Sequence, residues 1–220
     1  MVQLTQVDLV GADARELAGM QECFETGHSV VLPQLLSEPL LERLIEAVER
    51  AEFYQNPHHD ERQQRFGLDL TVRENEVALH LIHFLLNNRK LFRVIENITG
   101  CRSIGSFAGR IYRNLPGEDH QLDWHDDTDR PERIVGISIN LSGRQCRGGI
   151  FQLRETATRR IVSEVPSNRA GDAHLFRISS GLQHRVTRVE GEVARTSAAG
   201  WFLSEPDRAT ALRMLTRSVL

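Results

Sequence analysis

Seven short runs rich in Ile, Val, Phe and Thr occupy residues 104–203: "IGSFAGRIYRNLPG", "RIVGISINLSG", "GGIFQLRE", "RIVSEV", "AHLFRI", "LQHRVTRV" and "ARTSAAGWFL". Gly, Pro, Asn and Asp separate them, and they recur about every ten residues, which predicts an antiparallel sandwich or barrel. No other stretch of the chain restricts the fold as tightly.

The first hundred residues read differently. Ser37 is placed to cap a helix with Glu38 and Pro39 in its first turn, and "LLERLIEAVERAEF" continues at helical spacing. Ahead of it, "HSVVLPQLL" predicts a short strand running into a turn. Residues 54–74 are polar, contain Pro57 and Gly67 and lack periodicity, so a long loop is expected, either a lid or an excursion. "NEVALHLIHFLLNNRKLFRVIENITG" predicts one or two helices ending at Gly100. In the tail, Ser204 and Asp207 form a capping-box pattern before a helix expected over 205–220. With no repeat, low-complexity tract or evident linker, residues 1–220 read as one domain, helices packed against a β-rich half.

A chain of 220 residues can bury roughly 70% or more of its unfolded surface, enough for a core without disulfide staples. A net charge of −3 makes no electrostatic case for nucleic acid or a membrane surface. Lys90 is the only lysine among the basic residues, the rest being arginine. Cys23, Cys101 and Cys146 are odd in number and widely spaced. They read as reduced thiols in a cytoplasmic protein, so the Asn97 and Asn140 sequons are expected to stay unused. No signal peptide and no apolar stretch of membrane-spanning length is evident.

The chemically loaded stretch is "LDWHDDTDR", residues 122–130, in which one histidine sits among four aspartates. Along an extended chain, residues i and i+2 share a side, so His125 and Asp127 can face one point while Asp126 and Trp124 face away. An H-x-D pair alone also fits a solvated acidic turn, and a third ligand must come from elsewhere. The candidates are His28, His58, His59, His80, His83, His120, His174 and His184. The residues downstream of His184 set it apart. Glu190-Gly191-Glu192 is a good hairpin turn, and folding it is expected to place Arg195 across from His184 on the neighbouring strand, with Ser197 pointing the same way as Arg195. Two neutral imidazoles and one carboxylate leave a divalent metal with open positions, a set suited to Fe(II). The arginine could hold a carboxylate of an anionic cosubstrate by a charge-assisted pair.

The order H-x-D, His, R-x-S and a closing "WF" resembles the Fe(II)/2-oxoglutarate-dependent dioxygenases, specifically their prolyl-4-hydroxylase-like branch. The resemblance covers about residues 104–203. It extends to Tyr112 and Gly117 before the H-x-D motif, Gly148-Gly149 after it, the "GDAHLF" of residues 171–176, and H-x-V-x-x-V-x-x-G-x-R, matched from His184 to Arg195 with one extra residue at the hairpin turn. It implies an α+β chain built on a double-stranded β-helix, or jelly roll, with N-terminal helices packed on the sheet: residues 1–100 as helical support and substrate loop, 101–204 as the jelly-roll core. It further implies Fe(II) on His125, Asp127 and His184, with 2-oxoglutarate and O2 as cosubstrates. Arg195, and with it Ser197 and Tyr112, would hold the far carboxylate of 2-oxoglutarate. Decarboxylation to succinate and CO2 would then drive hydroxylation of a small metabolite or an amino-acid unit in a peptide.

Other readings stand beside this one. His59 and Glu61 make a second H-x-E pair, in the polar loop, where a solvated lid is the plainer account. His80 and His83, three apart, read as half-buried histidines on an apolar helix. His174, the rival ligand, sits in a strand with no arginine at the right distance along the chain and reads as a packed or partly exposed residue, and Trp124 reads as packing. Asp129, Arg130 and Arg133 read as a solvated rim or as substrate contacts. Arg110, Arg113, Arg144 and Arg147 hint at an anionic substrate. A non-catalytic jelly-roll binding module would lose a ligand or the arginine. An oxidative nucleic-acid demethylase would carry a second arginine where Trp201 stands.

Overall fold

The computed structural model describes residues 1–55, 67–70, 77–166 and 169–204. Four helices occur among them, each begun or closed by a local signal. Helix α1 (Ala14–Gly27) opens on a capping box between Asp13 and Glu16 and closes on His28 in the left-handed region. Helix α2 (Glu38–Arg50) follows Ser37, whose side chain makes no cap bond; its first turn rests on Pro39 and an extended Ser37 backbone instead. Helices α3 (Val77–Leu86) and α4 (Arg89–Thr99) are divided at Asn88, whose side chain accepts from the Lys90 and Leu91 amides. Gly100 ends α4 at φ 62°, its N–H donating to Glu96 O.

The strands are β1 (Gln3–Leu4), β2 (Leu9–Val10), β3 (Ser29–Leu32), β4 (Phe53–Tyr54), β5 (Leu68–Leu70), β6 (Ile104–Asn114), β7 (Leu122–His125), β8 (Arg133–Asn140), β9 (Arg147–Gly148), β10 (Phe151–Glu155), β11 (Ile161–Val165), β12 (Ala173–Arg177), β13 (Leu182–Val186), β14 (Val189–Glu190) and β15 (Arg195–Ser204). A seven-stranded sheet in the order β3-β12-β8-β15-β6-β5-β4 lies across from a four-stranded sheet in the order β11-β10-β13-β7. The paired strands run antiparallel, as a jelly roll requires.

Alternation along the large sheet sorts its two faces. Ile111, Ile137, Ile139, Leu175, Ala198 and Phe202 go under the helices, in one core with Leu44, Val48, Ile82, Leu91 and Ile95. The other face looks at the small sheet, where Phe176 packs with Phe151, Leu153, Val165 and Leu182 in a second cluster. The N-terminal half also supplies strands. Strand β3 closes one edge of the large sheet, and β4 and β5 close the other, so long central strands do not present bare edges. The polar 54–74 segment is thus not wholly loop: Leu68–Leu70 pairs with both Phe53–Tyr54 and β6. Residues 56–66 and 71–74 of that segment, and the expected 205–220 helix, lie outside the described residues.

The hairpin expectation needs correction. Gly191 does turn the chain, at φ 80°. The two flanking strands, however, enter different sheets: His184 pairs with Leu153 on β10 and His125 on β7, while Arg195 pairs with Asn114 on β6. Arg195 therefore reaches the site from the opposite sheet rather than from a neighbouring strand. No disulfide joins Cys23, Cys101 or Cys146 to another cysteine. Among the described residues no helix is long and apolar enough to cross a membrane.

Gly136 shows how tightly the inner face is filled. A Cβ there would stand 2.0–2.5 Å from the Phe176 ring, which lies against it across the β8–β12 ladder. Overpacking of this kind costs about 1–3 kcal/mol. Gly136→Ala is expected to lower the melting temperature by roughly 3–10 °C, and Phe176→Leu in the same chain should recover part of it. Equal melting temperatures for Gly136→Ala and wild type, read by calorimetry, would refute this packing.

Candidate metal centre and anion pocket

His125 ends β7, and His184 stands directly opposite it on β13, so the two rings project side by side with centroids 4.0 Å apart. Asp127 follows two residues later at φ 58°, a left-handed turn that Asp tolerates better than most residues. That turn brings Asp127 Oδ1 to 3.6 Å from His125 Nε2 and Oδ2 to 3.4 Å from His184 Nε2. Three ligand atoms, one from each residue, lie within 4.8 Å of one another. His125 Nδ1 lies 2.7 Å from Asp123 O. A carbonyl only accepts, so Nδ1 carries a proton, and Nε2 is the nitrogen turned toward Asp127 and His184. Two imidazoles and a carboxylate at this separation fit a divalent cation, and their softness suits iron.

The four aspartates of 122–130 have separate tasks. Asp123 orients His125 through its carbonyl, and Asp126 closes the turn by accepting from the Thr128 N–H and hydroxyl. Asp129 holds Arg133 Nη1 at 2.7 Å. Only Asp127 belongs to the cluster. Burial alone would raise its pKa. The His184 hydrogen bond and charge, the His125 charge and the Trp201 N–H outweigh burial and hold it at about 2, so it stays ionised.

Two residues that sequence reasoning did not assign complete this arrangement. Trp201 Nε1 donates to Asp127 Oδ2 at 2.7 Å, and Arg133 reaches Oδ1 at 3.4 Å. The Arg133 guanidinium also lies 3.7 Å over the Trp201 ring. Arg133 is thus an anchor of Asp127 rather than a solvated rim residue. The available signal for Trp201 was its phase: on β15 it shares a face with Ser197.

Across from the cluster, Arg195 is 8% exposed and donates to Ser197 Oγ at 3.0 Å and Ser138 Oγ at 3.4 Å. Both partners are neutral hydroxyls. Burial lowers the guanidinium's pKa, though an arginine remains charged, and a buried cation bonded, among the described residues, to hydroxyls alone suits an anion. The Gly148-Gly149 pair serves it, because Gly149 sits at φ 61° where a Cβ would lie 2.6 Å from Arg195 Cδ. Ser197 is 1% exposed. Burial, followed by the nearby Asp69 charge, pushes Tyr112 up to about 12, so its phenol is a neutral donor. All six residues singled out from sequence, His125, Asp127, His184, Arg195, Ser197 and Tyr112, line one cavity, with Phe151, His174 and Trp201.

Other candidates are used elsewhere. His120 Nδ1 accepts the Leu115 N–H, and His83 Nε2 meets Gly109 O at 2.8 Å. His80 is exposed, not half-buried as expected. His174 is buried, as its packed reading expects, and it lines the cavity together with Arg195. Trp124 lies between the Arg154 and Arg185 guanidiniums on the outer face of the small sheet. Arg110 pairs with Asp69, and Arg113 bonds Thr196 and approaches Glu49, so neither supports an anionic substrate. His58, His59, Asp60 and Glu61 lie outside the described residues.

Residues 109–203 match the family model of the 2OG-Fe(II) oxygenase superfamily, which implies Fe(II), 2-oxoglutarate and O2. Among solved structures, a Pseudomonas putida prolyl-4-hydroxylase is similar with a TM-score of 0.62 at 20% identity, over 86% of this chain and 100% of that one. An oxidoreductase of the 2OG-Fe(II) oxygenase family from Burkholderia pseudomallei gives 0.61 at 16%, over 92% and 96%. A Trichoplax adhaerens prolyl hydroxylase in complex with a hypoxia inducible factor peptide fragment gives 0.60 at 15%, over 90% and 96%. At these identities the likeness establishes the fold. No curated protein matches the sequence.

Trp201→Phe keeps a ring under Arg133 and removes the N–H from Asp127. It is expected to weaken Mn(II) or Co(II) binding about 10–100-fold, the usual cost of losing an outer partner of a ligand, measured by titration of the metal-free protein. Unchanged affinity would show that Arg133 alone orients the carboxylate.

Proposed function

We propose that this chain, whose jelly-roll half matches the 2OG-Fe(II) oxygenase superfamily, is a dioxygenase that hydroxylates a small metabolite or an amino-acid unit of a peptide. His125, Asp127 and His184 hold the iron, and Arg195, with Ser197 and Tyr112, binds the far carboxylate of 2-oxoglutarate. The observation that carries this reading is the pairing of two features in one cavity: a His-Asp-His cluster, and a buried arginine bonded only to hydroxyls. When bound, Fe(II) activates O2, one oxygen atom entering a substrate C–H bond and the other entering 2-oxoglutarate as it becomes succinate and CO2.

The chain's own residues prepare this chemistry. Asp127 stays ionised and Asp123 O fixes the His125 ring with Nε2 inward; the His184–Asp127 hydrogen bond would give way to a cation bound there and release its proton. Arg195 offers a fixed charge, and the Tyr112 phenol donates without competing as an anion. Leu122, Phe151, Phe176 and Val186 line the same cavity and displace water from it. The peptide fragment bound to the Trichoplax adhaerens enzyme supports a peptide as one substrate class. A non-catalytic binding module finds no support, since the cluster and the arginine are all present. Net charge of −3 speaks against nucleic acid. Residues 1–220 act as one domain in this reading.

Under anaerobic conditions, Fe(II) and 2-oxoglutarate added to metal-free protein are expected to produce a visible charge-transfer band. His184→Ala should abolish it and Arg195→Ala should weaken it. No band in the wild type, together with no conversion of 2-oxoglutarate to succinate in air, would sink the oxygenase reading and favour the binding module.

A further inference from the structure

On β12, Ala173 and Leu175 join the core under the helices, while His174 and Phe176 face the small sheet. Phe176 fills the inner cluster, but His174 brings a polar ring into the same layer. It is 5% exposed, its Nε2 is buried, and that nitrogen has no hydrogen-bond partner among the described residues. The ring packs on Phe151 at 4.5 Å and stands opposite Ser138 across the β12–β8 ladder. Ser138 is the hydroxyl that accepts from Arg195 Nη2. His174 and Arg195 also line, together, both the main cavity and a smaller one adjoining it.

Two groups that each want a partner therefore sit against one space. Among the described residues the guanidinium is bonded only to hydroxyls, and the imidazole nitrogen has no partner. Burial pushes His174 down to about 3, with the nearby Arg195 charge acting in the same direction, so the ring is neutral and carries one N–H. A neutral imidazole does not oppose the arginine's charge, yet it still has a donor to offer. An anion has only acceptor oxygens, and it would satisfy both groups at once. A leucine at this position would pack on Phe151 equally well and leave no bare nitrogen.

We infer that His174 is a cosubstrate-positioning residue whose ring N–H donates to the same terminal carboxylate that Arg195 holds. The inference rests on the reading of Arg195 as the 2-oxoglutarate clamp and deepens it. The pocket then recognises the far carboxylate by a cation and a neutral donor from two different strands, β15 and β12. Keto acids of equal length without that carboxylate gain nothing from His174.

The test is calorimetric binding of 2-oxoglutarate and of 2-oxopentanoate, which has a methyl group in place of the far carboxylate, to anaerobic Mn(II)-loaded protein. His174→Leu is expected to weaken 2-oxoglutarate about 10–100-fold, as loss of a hydrogen bond to a charged group does, with 2-oxopentanoate unaffected. His174→Gln, which restores an N–H donor, should recover part of the loss. Equal weakening of both keto acids would make His174 a packing residue, and no weakening of either would also overturn the proposal. Arg195→Leu separates the clamp from the positioning role. If it leaves 2-oxoglutarate binding intact, the clamp reading falls and His174 with it; if it weakens binding and His174→Leu does not, only the His174 role falls. Should His174→Leu fail to fold, nitrogen-15 imidazole NMR of the Zn(II)-loaded wild type decides. A His174 ring shift with 2-oxoglutarate and none with 2-oxopentanoate supports the donor role, and no shift with either overturns it.

Discussion

The register that sets His184 opposite His125 governs the site. Because antiparallel partners share a face, that single pairing puts two imidazoles side by side at the end of the small sheet. A slip of one residue would turn His184 to the outer face, where Trp124, Arg154 and Arg185 form a polar layer. Packing opposes the slip. Leu153, paired with His184 on its other side, is fully buried, and Phe151, also on β10, meets the His184 ring. Asp127 is then brought in by a left-handed turn held by Asp126, with Trp201 and Arg133 gripping its carboxylate from the large sheet. The proposed iron site is thus built from both sheets, although its two histidines come from one.

Electrostatics divides the cavity into two ends. At one, Asp127 is ionised because hydrogen bonds and neighbouring positive character outweigh the cost of burial. At the other, Arg195 is buried among hydroxyls and a neutral histidine. Each end is incomplete by itself: the carboxylate and imidazoles present lone pairs, and the arginine presents donors. A cation carrying a chelated dicarboxylate satisfies both, which is the physical content of the oxygenase reading.

The N-terminal half makes this geometry rigid rather than adding chemistry to it. Its helices bury the outer face of the large sheet, with Phe202 of β15 meeting Phe92 edge-on and Phe107 at a tilt. Its strands β3, β4 and β5 close that sheet's edges. Strand β15, which carries Arg195, Ser197 and Trp201, is consequently paired on both sides and packed from below. Side chains held this way lose little further freedom when a ligand arrives.

Much of this was legible in the chain. Alternation and turn residues after residue 100 carried the sheet-rich class, because side-chain period is a local property. The donor types at 125, 127, 184 and 195 carried the chemistry, because few sets of residues leave a metal both charged and open. Asn88 and Gly100 marked helix ends through bonds made within a few residues. The strand at Leu68–Leu70 was not visible, since its three residues are stabilised by β6, more than thirty residues away. The turn at Gly191 was visible, but not that the strands on either side of it join different sheets, which depends on long-range partners. For the same reason Arg195 was assigned to the right pocket by the wrong route, and Trp201, Arg133 and His174 went unassigned. Sequence alone determined which groups this protein can offer and on which side of each strand they stand. Tertiary structure decided which strands face one another, and so which buried charge meets which buried donor, because that depends on pairing between segments no local pattern connects.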